Sequence, residues 1–177
     1  LNKGITAIDT DYIARMARDD VSRPDRFAVQ SEFLDTHKDV AVIGAYIQEF
    51  SDICENLGVR KFPLDTDGAK KLIYKANPLA HPAVMMRKSM FDDGISYDEN
   101  YRTSQDLALW FDILTAGYNV ANIDKVLLNF RRNDSVYKRR SNRKDSNLEF
   151  KVHEKGIYKL FGISPYKSDR KSTRLNS

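Results

Sequence analysis

YIARMARDDVSRPDRFAVQ, residues 12 to 30, decides how this chain reads. It joins a short apolar run to a pair of acids and then to a helix start. Tyr12, Ile13, Ala14, Met16 and Ala17 make a run short enough for a buried strand, interrupted by Arg15 and Arg18. Run length alone does not separate that strand from a buried helical segment. In open α/β sheets ligands bind outside the carboxyl ends of the strands, so Asp19 and Asp20 are expected where a phosphate-bearing substrate and its metal ion can sit. Ser22 then offers an N-cap and Pro24 suits the first helical turn. The helix should turn Phe27, Phe33 and Leu34 inward. An Asp-Asp turn that only caps a helix is the competing reading, because a short motif is a hypothesis until its context is known.

Outward from that stretch, 177 residues with 41% hydrophobic content suit a single domain. No apolar run approaches the ~20 residues of a membrane-spanning helix, and LNKGITAIDTD lacks the apolar centre of a signal peptide. Cys54 is the one cysteine, which excludes an internal disulfide and a cysteine-built metal cage and fits a reducing cytoplasm. The formal charge is +4, yet residues 131–144 hold seven basic side chains against one acid, a local +6 that leaves −2 elsewhere. Such a run is a solvated face, or it holds an anionic membrane surface at the inner leaflet, a diphosphate or nucleic acid. Only Phe130 and Tyr137 interleave it with aromatics, which argues against a nucleic-acid partner.

Along the chain the pattern predicts a helix end over residues 1–8, a strand over 12–17, a helix from Pro24 to about His37, and a buried strand at VAVIGAYI, residues 40–47. Residues 48–64 read as a loop or short hairpin. A helix capped by Thr66 or Asp67 should run to Ala76 before Asn77-Pro78 stops it. His81-Pro82 then introduces a strand through Met86, and 88–93 makes a helical turn closed by Gly94. Leu107, Trp110, Phe111 and Leu114 fall at i, i+3, i+4 and i+7, marking an amphipathic helix with Gln105 and Asp106 at its start and Gly117 at its end. At a helix N-terminus an ionised carboxylate is favoured, so Asp106 is either a helix-start acid or a site acid. Residues 120–123 and 126–130 read as two strands around Asp124-Lys125, and 146–161 as a last helix carrying a solvated His153. His37 reads as a surface residue, and His81, as a lone histidine, reads first as structural. No internal repeat, Walker sequence or G-x-G-x-x-G occurs.

YIARMARDDVSRPDRFAVQ resembles the segment of bacterial glycosyltransferase family 2 that reads "YIARMDADD" followed by "S-x-P-x-RF-x-x-Q". The resemblance continues, in the family's order, through NPLAHPAVMMRKS (77–89), SQDLALW (104–110) and FRRNDSVYKRR (130–140). It is strongest toward enzymes that build bacterial exopolysaccharide and capsule, including amylovoran-type glycosyltransferases. The resemblance implies a GT-A fold, an α/β Rossmann-like sheet flanked by helices, over residues 1–168, lacking at its start the first strands that grip the nucleotide. It implies that the chain is inactive alone. Residues 169–177, DRKSTRLNS, resemble a translated sequencing adapter and are set apart from the domain.

What the resemblance implies for chemistry is an inverting transfer of a sugar from a nucleotide-diphosphate donor to the hydroxyl of a saccharide or lipid-linked saccharide, at the cytoplasmic face of the membrane. A divalent ion, Mg²⁺ or Mn²⁺, would neutralise the departing diphosphate and a carboxylate would take the acceptor proton. Carried over by position, the metal ligand is Asp19, the base is Asp106, and Asp20, His81 and Gln105 contact substrate. Three positions depart from the pattern. Ala17 stands for the first acid, which weakens the metal site. Gln105 replaces the glutamate before the base, and Arg132-Asn133 stands where a histidine ligand is sometimes found. A non-catalytic remnant or interaction module is the alternative that these losses permit.

Overall fold

The computed structural model describes residues 1–132 and 143–163, with the backbone alone for 143–145. The tail 169–177 and most of the basic run lie outside the described residues. In chain order the elements are α1 (Asn2–Thr6), β1 (Tyr12–Ala14), β2 (Val21–Ser22), α2 (Arg26–Thr36), β3 (Val40–Phe50), β4 (Gly58–Arg60), α3 (Thr66–Leu72), a 3-10 turn (His81–Ala83), β5 (Met85–Arg87), α4 (Lys88–Asp92), α5 (Gln105–Thr115), β6 (Asn119–Arg131) and α6 (Arg143–Phe161). The strands form one sheet in the order β1-β5-β3-β6-β2, with β4 beside β3. The central pair β3 and β6 is parallel. The other pairings are antiparallel, which makes the α/β sheet mixed.

Strand alternation sends neighbouring residues to opposite faces, and both faces are covered. Val42, Met86 and Val120 pack with Leu107, Trp110, Phe111 and Leu114 of α5 and with Val152 and Ile157 of α6. Their neighbours Ile43, Met85 and Ala121 pack with Leu34 of α2 on the other face. Full burial of one such aliphatic side chain stabilises by roughly 1.5–3 kcal/mol, so β3, buried from Val40 to Ile47, anchors both layers. Two glycines permit close approach. A Cβ on Gly44 would lie 2.1 Å from Asn122 Oδ1, and the Asn122 amide donates to the carbonyls of Pro63 (2.7 Å) and Pro78 (3.1 Å). A Cβ on Gly156 would lie 2.2 Å from the Phe111 ring, where α6 closes on α5. Among the described residues no helix is long and apolar enough to cross a membrane.

Several local expectations are corrected. The first strand ends at Ala14, so Ala17 and Asp19 share no strand face. Ser22 does not cap α2: it lies in β2, paired with Leu128, and Asp25 occupies the N-cap. Phe27 is 53% exposed, whereas Arg26, Gln30 and Leu34, at i, i+4 and i+8, form the buried face. The cap of α3 is Asp65, whose carboxylate accepts from the Gly68 N–H at 2.7 Å, and that helix stops at Leu72. His81–Ala83 is a 3-10 turn ahead of β5 rather than part of the strand. Residues 119–131 form one strand. Its pairing jumps from Ala45↔Ile123 to Tyr46↔Val126, so Asp124 and Lys125 bulge out without ending it. His153 is half-buried edge-on against Phe111, 6.0 Å between ring centroids, and burial pushes its pKa down.

Candidate functional site

Topology collects the predicted residues at one end of the sheet. β1 and β3 both run antiparallel to β5, and β6 runs parallel to β3, so β1, β3 and β6 finish at the same end. The 3-10 turn with His81 precedes the antiparallel β5, and α5 returns before β6. His81 and the start of α5 therefore lie at that end too. From Ala14 the chain crosses from the sheet edge at β1 to the opposite edge at β2, carrying residues 15–20 over the strand ends.

Within this crossing the two acids differ. Asp19 is exposed, its carboxylate 3.4 Å from Arg18 Nε and its carbonyl accepting from Arg131 Nε at 3.2 Å. Asp20 is buried. Its Oδ1 accepts from the Arg131 N–H at 3.0 Å, and its Oδ2 has no hydrogen-bond partner among the described residues. Burial raises its pKa, a trend opposed by that hydrogen bond and by the charge of Arg15. The expected substrate contact Asp20 thus ties the turn to the end of β6. Arg131 and Arg132 also pair with Asp52 and Glu49, the latter at 3.0 Å.

The turn is held from below by Arg26, which is fully buried. Its Nη2 donates to the carbonyls of Arg15 (2.7 Å) and Val84 (3.1 Å), and its Nε donates to Gln30 Oε1 (3.0 Å). Gln30 in turn donates to the carbonyls of Ile43 (3.2 Å) and Ala83 (2.8 Å). Burial, with the nearby Arg15 charge, lowers the Arg26 pKa to about 10, so it stays cationic at neutral pH.

Across the strand ends stands the second group. His81 Nε2 is 2.8 Å from the Tyr97 hydroxyl, and its ring meets Trp110 edge-on at 5.9 Å. Both His81 and Tyr97 are buried. Burial holds the Tyr97 phenol well above its usual pKa, with the Arg15 charge opposing and the Asp106 charge adding. Tyr97 therefore lies within electrostatic reach of Arg15 on one side and Asp106 on the other. Gln105 and Asp106, both half-buried, open α5 directly after Ser104, whose φ of 59° is left-handed. A non-glycine residue there costs of order 1–2 kcal/mol, which the surrounding packing has to offset for the turn that carries the acid to form.

His81 is thus a buried neutral imidazole, its pKa lowered to about 3 from 6.5, first by burial and then by Arg15. Between those values the unfolded chain binds a proton that the folded chain does not, so stability falls as pH falls through 6.5. The expected loss between pH 7.5 and 5.5 is about 1.4 kcal/mol. Urea denaturation of the parent and His81→Gln measures it, because the difference between the two slopes isolates the histidine from Asp20. Parallel slopes would show that His81 is not buried in its neutral form.

A family-type metal finds a poor donor set. A divalent ion of this kind takes hard oxygen ligands, commonly one or two carboxylates beside substrate phosphates. Ala17 offers none, Asp20 is buried on a backbone N–H, and Asp19 remains with guanidinium groups beside it. Among the described residues no three His, Cys, Asp or Glu side chains converge to hold an ion. A concavity of about 320 Å³, lined in part by Gly94, Ser96, Asp112, Thr115 and Lys159, lies apart from all of these site residues.

Three residues of the site escaped the sequence reading: Arg15, Arg26 and Tyr97. Arg15 carried a signal, as a charge interrupting an apolar run. Arg26 stood with Gln30 in the S-x-P-x-RF-x-x-Q motif without its buried role being read, and Tyr97 carried no signal, since its partner His81 is distant in sequence.

No family model matches the chain. It is 31% identical over 141 residues to the amylovoran biosynthesis glycosyltransferase AmsE of Erwinia amylovora, covering 79% of this chain and 52% of that protein. Over 152 residues it is 29% identical to an Escherichia coli UDP-Gal:alpha-D-GlcNAc-diphosphoundecaprenol beta-1,3-galactosyltransferase, covering 86% and 55%. The chain spans about half the length of these curated relatives. The fold is similar to that of S. aureus TarS 1-349 solved in complex with UDP-GlcNAc, with a TM-score of 0.58 at 12% identity over 99% of this chain and 55% of that one. With the acidic turn, the His81 segment and the α5 start gathered at one sheet end, the chain has a GT-A fold and is similar in sequence to bacterial polysaccharide glycosyltransferases over about half of their length.

Proposed function

We propose that the whole protein moves a sugar from a nucleotide-diphosphate donor to a hydroxyl of a bacterial cell-surface saccharide, free or lipid-linked, by one inverting displacement. The observation that carries this reading is the placement of Asp106 on a strained helix start at the same sheet end as the acidic turn. An acceptor hydroxyl is a poor nucleophile unless a base takes its proton, and a carboxylate facing the anomeric carbon does so in the transition state. The Tyr97 phenol and the neutral His81 imidazole form the buried floor beside it, Gln105 flanks the substrate, and Asp20, expected to touch substrate, instead holds the turn to β6. The opposite face of the sugar carries the diphosphate, above residues 15–20. A lipid-linked acceptor places the protein at the inner face of the membrane, with the basic run toward anionic headgroups.

Transfer from uridine and guanosine diphosphate sugars to saccharide acceptors, followed by NMR of the anomeric proton, tests the reaction and its stereochemistry together. A product with retained configuration would remove the single displacement. A non-catalytic module is the second reading, favoured by Ala17, Gln105 and the buried Asp20. Nucleotide-sugar binding without transfer to any hydroxyl, under conditions in which related enzymes turn over, would establish it.

A further inference from the structure

The acidic turn is short of oxygen ligands and rich in guanidinium groups, and one of those groups is unclaimed. Arg15 is half-buried with its backbone fixed on both sides: its N–H donates to the Val84 carbonyl at 3.0 Å, and its own carbonyl accepts from Arg26 at 2.7 Å. Among the described residues its guanidinium makes no hydrogen bond or ion pair. The neighbouring arginines differ. Arg131 is committed to Asp52 and to the Asp19 carbonyl, Arg132 to Glu49, and the Arg18 side chain is 95% exposed. The charge of Arg15 acts on Asp20 in the acidic turn and on His81 and Tyr97 in the second group. Nearby, Asp20 Oδ2 and Arg26 Nη1 are buried polar atoms without hydrogen-bond partners among the described residues, so the floor of this turn is polar and incompletely satisfied by them.

A half-buried guanidinium on a fixed backbone, without an anionic partner among the described residues, is suited to a planar or bidentate anion. We propose that Arg15 binds the donor diphosphate and supplies the positive charge that a divalent ion supplies elsewhere, so that transfer needs no metal held by the protein. This rests on the glycosyltransferase reading. In the step, the acceptor oxygen forms a bond to the anomeric carbon and its proton passes to the Asp106 carboxylate. The bond from the anomeric carbon to the diphosphate oxygen breaks, and its electron pair leaves with the nucleoside diphosphate. The new charge on that terminal phosphate meets the N–H donors of Arg15.

Calorimetric titration of the chain with inorganic pyrophosphate, first in EDTA and then with Mn²⁺, tests the assignment. The parent is expected to bind saturably in EDTA, and Arg15→Gln to bind about tenfold more weakly, the effect of losing a charge-assisted contact. Lys38→Gln, a change at an exposed ion pair with Asp35, should bind like the parent and shows that the loss is not one of general charge. Added Mn²⁺ should not strengthen binding. Binding that requires Mn²⁺, absence of binding in EDTA, or parental affinity in Arg15→Gln would each overturn the proposal. Thermal melting checks that the variant folds. If it does not, Arg15→Lys, which keeps the charge and loses the planar fork, is expected to bind more weakly than the parent, and equal affinity would overturn the proposal. In the whole protein, competition separates the two levels of argument. Pyrophosphate that binds through Arg15 but is displaced by no nucleotide sugar would sink the glycosyltransferase reading. Nucleotide-sugar binding that demands Mn²⁺ would leave that reading intact and sink this inference.

Discussion

Asp106→Asn in the whole protein is expected to lower sugar transfer by about 10²-fold or more, the size of a lost general base. The asparagine has nearly the same shape and leaves the start of α5 intact, with the Ala108 N–H still donating to the Ser104 carbonyl at 3.1 Å. Stability and nucleotide-sugar affinity should therefore hold while turnover falls. Steady-state kinetics with a saturating donor, read beside a melting curve, separates these quantities. Near-normal turnover in a folded variant would remove Asp106 as the base. A parallel loss of donor affinity would instead make it a binding residue.

Arg26→Ala should be the most destabilising single change at the site, by about 3–5 kcal/mol, because it empties a fully buried volume and strips donors from buried carbonyls. The carbonyls of Arg15 and Val84 and the Gln30 side chain all lose the Arg26 partner, and an unsatisfied buried acceptor costs about 1–3 kcal/mol. Arg26→Met should be milder, since it fills the space with apolar atoms while still giving up the hydrogen bonds. Urea denaturation of both variants measures the difference. A wild-type midpoint for Arg26→Ala would show that the cage under residues 15–20 does not hold that segment to β5. The effect extends to function, because the same hydrogen bond that steadies the Arg15 carbonyl steadies the residues leading to Asp19 and Asp20.

Much of the architecture was legible in the residues because it rests on local periodicity. The apolar, partly β-branched run 40–47 reads as a buried strand, and the 3.6-residue spacing of Leu107, Trp110, Phe111 and Leu114 reads as an inward helix face, and both form. The glycosyltransferase resemblance came instead from four motif segments in order. Asp106 at a helix start was legible too, whereas the two acids lie beyond the first strand, which ends at Ala14. Apolar periodicity says nothing, however, about polar side chains that turn inward. The face of α2 was misread through Phe27 because the residue that goes inside is Arg26, and its carbonyl partner at Val84 lies 58 residues away. Asp20 became a structural acid through the N–H of Arg131, 111 residues on, while its neighbour Asp19 stayed in solvent. Asp124-Lys125 looked like a turn, but parallel pairing with β3 on both sides of the pair kept β6 continuous and forced a bulge. Hydrophobic spacing thus determined the main elements, among them β3 and α5, while the mixed pairing of the sheet and the bounds of the shorter elements were decided by the tertiary structure. The hydrogen-bond partners of Arg15, Asp20, Arg26 and His81 were decided only when distant carbonyls, N–H groups and rings were brought together, because a buried polar group takes its role from the partners that folding leaves within reach.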